Sequence, residues 1–265
     1  MFFSLPSWAV ALLLFAIIGI ATAIGYATGR YLREHRALLH EPFGVIQGAL
    51  LGVVALILAF GLTLAVGRYE DRRAATVSEA NAIGTSYLRA QLIAEPARGR
   101  SLDLFRRYTN LALRVSKEVP GSSGMRRTTA AEGIVQRRLW RLGGEAIGGA
   151  QVASAPRLYV DSLNVMFDAQ STRLSSLTNR VPGAVLALEV FGAAVAVGLL
   201  ALHISVLGRG LFVMLAAAGL ITLLLFVTFD LDRPTRGLIK VPDTPLASVR
   251  ASMALPPAAK GPSRP

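Results

Sequence analysis

The chain has 265 residues, 53% of them apolar, only 17% charged, and no cysteine. So few charges exclude an ordinary soluble domain, and the missing cysteines exclude disulfide frameworks, thiolate metal sites and thiol nucleophiles. A net charge of +12 invites a nucleic-acid reading, which only the placement of that charge can answer.

Crossing a bilayer takes about 20 mostly apolar residues, and the first such stretch covers 7–28. Trp8 stands where an aromatic anchor would meet the interface. Ala21-Thr22-Ala23 has the form of a signal-peptidase site. However, no Lys or Arg precedes the apolar run, and the run outlasts a typical signal core, so the segment reads as a span. The link to a second span at 43–67 carries Arg30, Arg33 and Arg36.

Span two is rich in small residues. Gly48, Ala49, Gly52, Ala55, Ala59, Gly61 and Ala65 suit close helix packing within a subunit or between subunits. In the functional alternative, Gln47, Leu56, Ala59, Phe60 and Thr63 line a channel. Leu56 and Phe60, four residues apart, would then form a hydrophobic ring that gates by dewetting.

The segment 68–182 differs in composition, with 18 basic and 10 acidic residues. Between Glu70 and Ile93 it has no proline and a single glycine, Gly84, so span two continues as a helix to about 93. Such a helix would be roughly 75 Å long at 1.5 Å per residue. Arg68, Tyr69, Glu70, Arg72, Arg73, Glu79, Asn81 and Thr85 form a candidate juxtamembrane network. The three-to-four spacing of Glu70, Arg73, Val77, Asn81, Thr85 and Leu88 predicts one face, and Asn81 and Thr85 among Ala80, Ala82 and Gly84 suggest close packing. Pro96 suits the start of a second helix, with Leu104, Tyr108, Leu111 and Val115 on one side. Pro120-Gly-Ser-Ser-Gly124 breaks it. Thr129 with Glu132 forms a capping-box pattern opening a third helix, ending near glycines 143–149. Ser154 and Pro156 start a fourth, whose inner face is Tyr159, Leu163, Met166, Gln170, Leu174 and Leu177.

Spans three (183–207) and four (211–229) are joined by Gly208-Arg209-Gly210, which permits only an antiparallel hairpin. Glu189 is the one formal charge inside the four spans. An ionisable residue there is costly, so Glu189 is expected to lean on a basic residue such as Arg180 or Arg68 and to support assembly. Facing a pore, it would favour cations. After span four, Asp230, Asp232, Arg233 and Pro234 form a compact motif. Its two carboxylates could hold a divalent ion, but ion pairs with Arg233 and Arg236 are the expected use. Beyond Pro256 the tail reads as disordered.

The four spans place both termini and the central segment on one side. That side collects 24 basic residues against four on the other, which makes it cytoplasmic. The charge surplus is thus explained by topology and anionic lipid, and no nucleic-acid partner is expected. The fold class that follows is an all-α membrane protein with four transmembrane helices. A helical cytoplasmic domain (68–182) lies between spans one and two (1–67) and the hairpin of spans three and four (183–229), with a cytoplasmic tail at 230–265.

The run Arg68-Tyr69-Glu70-Asp71-Arg72-Arg73, followed by Glu79-Ala80-Asn81-Ala82-Ile83-Gly84-Thr85-Ser86-Tyr87-Leu88-Arg89, resembles a bacterial membrane-protein family labelled bestrophin-like. Asp230-Leu231-Asp232-Arg233-Pro234, with Gly237 and Leu238, is similar to that family's sequence after its last span. A more distant similarity to bestrophins rests on the span arrangement and on Tyr69, Glu70 and Arg72. Bestrophins are pentameric ion channels whose second helices surround the pore. The resemblance therefore implies a homo-oligomer, pentameric if bestrophin-like, that conducts inorganic ions across the inner (plasma) membrane. No calcium clasp is carried over, and no cofactor or metal is expected.

The three histidines, His35, His40 and His203, all lie outside 68–182, and no catalytic signature occurs, so no enzymatic activity is expected. The arginine-rich segment attracts anions by its field, whereas Glu189 in a pore would select cations. The alternative to a channel is a non-conducting membrane scaffold whose helical domain binds a partner protein. No inverted repeat or broken-helix pair points to a transporter.

Overall fold

The computed structural model describes residues 6–33, 42–149, 154–208 and 210–259. Among them the chain forms eight helices and no strand. They are α1 (Ser7–Leu32), α2 (Pro42–Ala90), α3 (Ala97–Val115), α4 (Ser123–Gly148), α5 (Ser154–Thr178), α6 (Gly183–Leu207), α7 (Leu211–Leu231) and α8 (Thr244–Ser252). Two compact units result, Met1–Tyr69 with Arg180–Lys240, and Glu70–Asn179 with Val241–Pro265. Arg36, His35 and His40 of the first link, and Arg209 of the hairpin, lie outside the described residues.

The first unit holds α1, the first part of α2, α6 and α7. Each carries an apolar stretch long enough to cross a membrane, yet only 22–33% of each stretch is buried. Its apolar surface therefore faces largely outward, as lipid requires. Inside, α1 buries Val10, Leu14, Ile18, Thr22, Gly25 and Gly29, a stripe spaced three or four residues apart. Opposite stand Ala193, Ala196, Val197 and Ala201 of α6. A methyl group added at Gly25 or Gly29 would overlap the backbone of Gly198 or Leu202, so the two helices nearly touch. Ser205 on α6 adds a hydrogen bond, donating its hydroxyl to the Tyr26 carbonyl at 2.8 Å. Small-residue packing is thus closest between spans one and three, while on span two Gly61 and Ala65 are also covered. Around Gly48 and Gly52 of span two there is open space. Gly208 closes α6 in a left-handed conformation (φ +72°), which glycine adopts without steric cost.

The second unit packs the rest of α2 with α3, α4, α5 and α8. Ile83, Phe105, Tyr108, Leu139, Tyr159, Leu163 and Met166 are fully enclosed in its core. Phe105 meets Tyr87 and Tyr159 edge-on, with ring centres 6.1 and 6.3 Å apart. Three local expectations change. On α3 the inner face is centred on Phe105, Tyr108, Ala112 and Val115, while Leu104 and Leu111 are only half-buried at its margin. On α4 the helix opens earlier than Thr129. Ser122 caps it, accepting from the Met125 N–H at 3.0 Å, because the break at 120–124 already supplies a serine at the right offset. Thr129 instead returns its hydroxyl to the Met125 carbonyl (2.8 Å), and Glu132 is buried. Finally, the tail contains α8, which the sequence reading does not anticipate. Leu246 and Met253 are wholly covered in the core, and the Met253 carbonyl accepts from the Tyr87 hydroxyl and Arg106 Nε at 3.4 and 3.3 Å. The disorder expected after Pro256 falls largely on residues outside those described.

Candidate functional site

In the first unit, α2 turns Gln47, Val54, Leu58, Gly61 and Ala65 inward. Leu56, Ala59, Phe60 and Thr63 lie exposed on the other side, Leu56 and Phe60 at 56% and 62%. Four of the five pore-lining candidates therefore share a face. Gln47 does not; it is 6% exposed, nine residues and so about half a turn from Leu56 at 100° per residue.

Glu189 also departs from expectation. It belongs to the covered stripe of α6 with Leu186, Ala193 and Ala196 and is 1% exposed. Neither carboxylate oxygen has a hydrogen-bond partner, and no basic residue among those described pairs with it. The carboxyl rests against Gly61, where a Cβ would overlap it. The reason is direction: position 189 lies on the stripe of α6 turned into the packed helices, where Gly61 of α2 meets it.

In the second unit the juxtamembrane candidates divide between two faces of α2. Glu70, Arg73, Asn81 and Thr85 are exposed, contrary to the close packing expected of Asn81 and Thr85. They line one side of an open groove of about 750 Å³, with Arg89, Asp161 and Val165 among the other lining residues. Glu70 pairs with Arg73 at 3.5 Å, and Asp161 with Arg89 at 3.6 Å. Arg72 and Glu79 face the opposite way and are buried. Arg72 donates to the carbonyls of Ser176 (3.2 Å) and Asn179 (2.8 Å), groups that the end of α5 leaves without intrahelical partners. Arg68 and Tyr69 are half-buried at the edge of the first unit, with Tyr69 packed on its core.

Glu79 anchors a buried polar network. Its Oε2 accepts from Arg173 at 2.6 Å and its Oε1 from the Tyr108 hydroxyl at 3.2 Å. Arg173 also donates to Ser116 Oγ and the Ala112 carbonyl. Beside it, Gln136 donates to Gln170, which donates to Glu132 at 2.7 Å. The other Glu132 oxygen has no partner. Burial raises the Glu132 carboxyl to about 7, with Glu79 adding to the rise and Gln170 and Arg173 opposing it. Arg173, Glu132 and Tyr108 are absent from the sequence-derived network. The signal was present in the spacing, since Arg173 falls three residues after Gln170 on the inner face of α5, where an unpaired charge would be untenable.

After span four the acidic motif clasps backbone. Asp230 accepts from the Leu238 and Ile239 N–H groups, both at 2.9 Å, and its Oδ1 lies 3.2 Å from the Ser7 hydroxyl. Asp232 accepts from Val181 N–H at 3.0 Å, fastening the entry to α6. Gly237 makes the turn possible, because a side chain there would meet the Asp230 carbonyl at 2.6 Å. Arg233 and Pro234 are buried. The guanidinium of Arg233 has no hydrogen-bond partner, so it acts on Asp230 through space rather than in the expected ion pair. The motif is a fastening, in which both carboxylates accept from backbone amides.

Comparison with known proteins fits this architecture. The chain is similar to a bacterial bestrophin homologue from Klebsiella pneumoniae at 15% identity, over 92% of this chain and 96% of that one, with a TM-score of 0.64. A point-mutant structure of that homologue gives 15% identity, 93% and 97% coverage, and a TM-score of 0.67. At such identity the likeness shows the fold. No curated protein matches the sequence. The bestrophin-like domain matches residues 10–246, nearly the whole chain, and this protein therefore belongs to the bestrophin-like family.

Proposed function

We propose that the protein is an oligomeric ion channel of the inner (plasma) membrane, with α2 arranged around a shared axis and both termini in the cytoplasm. The observation that carries this reading is the uncovered face of α2. Its own chain leaves Gly52, Leu56, Ala59 and Thr63 exposed, and further along Glu70, Val77, Asn81, Thr85 and Leu88. At 100° per residue these positions keep one side of the helix. A 49-residue helix with one persistent bare face suits a wall completed by copies of itself, five in number if the arrangement follows bestrophins. Leu56 and Phe60 supply a dewetting constriction, and Glu70, Asn81 and Thr85 a polar vestibule. Glu189, covered by its own unit, is withdrawn from this wall, so the basic surplus of 68–182 is left to favour anions.

The test is flux from liposomes holding the purified protein under an imposed ion gradient. Currents that rise several-fold in Leu56→Ala or Phe60→Ala support the pore assignment. Flux no higher than in empty liposomes, with the oligomer intact, overturns it. One feature favours the scaffold alternative: a groove of about 530 Å³ on α4 and α5, lined by Trp140, Phe167, Arg137 and Arg141. Copurification of one stoichiometric partner without flux would select that reading.

A further inference from the structure

Glu189 poses a problem that the channel reading leaves unsolved. It lies six residues into α6, about 9 Å along the axis at 1.5 Å per residue. It is 1% exposed, and both carboxyl oxygens lack a hydrogen-bond partner. A carboxylate can be kept in such a place by a cation, by amide donors, or by a proton.

The first two are missing. The charged and titratable groups of this unit on or beside the surrounding helices are Tyr26, Arg30, Tyr31 and Arg33 at the end of α1, Arg68 and Tyr69 on α2, Arg180 before α6, His203 far along α6, and Asp230, Asp232, Arg233 and Arg236 at and after the end of α7. None makes a hydrogen bond or ion pair with Glu189. Arg68 stands seven residues beyond Gly61, roughly 10 Å along α2. The amide N–H groups of α2 around Gly61 are engaged within the helix itself.

What the structure does supply is a niche of the right shape. The carboxyl rests on the bare backbone of Gly61, and any side chain there would overlap it. Leu58 and Ala65, one turn to either side on the same face of α2, are covered apolar residues. A glycine leaves helix carbonyls uncovered, and each retains a second lone pair able to accept from an acid O–H.

We propose that the joint between Glu189 on α6 and Gly61 on α2 is a proton-binding site within the membrane, occupied by a neutral carboxylic acid. Loss of the proton places an unpaired anion against the backbone of α2 and loosens the contact. The site thereby ties the position of α2 to pH. The proton site itself does not depend on ion conduction.

Infrared spectroscopy of the full chain in lipid bilayers tests this directly. Because burial raises the affinity of Glu132 for its proton, measurements are made in Glu132→Gln, with Glu132→Gln/Glu189→Gln as the reference. The difference spectrum should contain the carbonyl stretch of a protonated carboxylic acid near neutral pH, disappearing as the pH is raised. Thermal unfolding provides a second reading. The midpoint of Glu132→Gln should fall between about pH 6 and about pH 9, and the double variant should lose this dependence while remaining folded, since Gln copies the neutral acid. An ionised carboxylate band at neutral pH overturns the proposal. So does a double variant that is less stable than Glu132→Gln across the whole range, because Glu189 would then be serving as a charge. Neither readout requires flux, so failure here is distinguishable from failure of the channel reading.

Discussion

Glu132 shows how one enclosed side chain can set the pH response of a helical bundle. Its carboxyl holds a proton up to about 7 when folded, against the ordinary 4.5 of a free glutamate. The folded chain therefore binds that proton more tightly than the unfolded chain, and stability falls as pH rises through this window. Below about 4.5 both states are protonated and the contribution is flat. Full ionisation costs roughly 3 kcal/mol at most. Glu132→Gln should match the parent near pH 5 and exceed it near pH 8, as read by thermal unfolding of the two proteins in detergent. Arg72 makes the opposite case, a charge whose removal leaves others stranded. Arg72→Met keeps the stem but frees the carbonyls at the end of α5, and should destabilise the chain by about 2 kcal/mol. Denaturant titration would measure it, and an unchanged midpoint would mean that water replaces the guanidinium.

At the scale of helices, α1 and α6 are held by proximity. Gly25→Leu would force the backbones apart where Gly198 now sits, and should cost about 2–3 kcal/mol, seen as a lower melting temperature. The same change at Gly48, which has open space around it, should leave the melting temperature of the isolated subunit untouched. The spans and most helices were legible in the sequence because apolar length and helical spacing report directly on lipid and core. Four features were hidden for physical reasons. The inward turn of Gln47 and the niche of Glu189 depend on which neighbour a face meets, which spacing cannot say. Asn81 and Thr85 sit among small residues that pack on the other side of α2, so composition pointed to contact where the structure has a groove. The start of α4 went astray because two cap-forming patterns lay within one short stretch and only the first has free amide groups to satisfy.

For the molecule as a whole, orientation and assembly are open to simple chemistry. The chain has no cysteine, so a single one introduced at Asn81 labels cleanly. On the proposed topology, which puts 68–182 in the cytoplasm, an impermeant reagent should leave it unlabelled in intact cells and label it in inverted vesicles. Labelling of intact cells would reverse the topology. Mass measurement in detergent should give a multiple of the 28.1 kDa chain, five if the bestrophin arrangement holds, and a monomer would remove the shared pore.

The docking of α8 carries a consequence for synthesis. Leu246 and Met253 complete a core otherwise built from residues 80–169, yet they leave the ribosome only after two further membrane helices have been made. At about 5–20 residues per second, that delay is on the order of ten seconds. Through this interval Tyr87 and Phe105 wait beside an unfilled space, so the nascent bundle presents apolar surface to chaperones and proteases. Insertion of α6 and α7 becomes a checkpoint, because a chain that stalls in the membrane cannot close its own second unit. A chain truncated after Lys240 should reproduce that stalled state. Limited proteolysis would then cut within 70–179 at protease levels the full chain resists, whereas equal resistance would show that the bundle closes without α8.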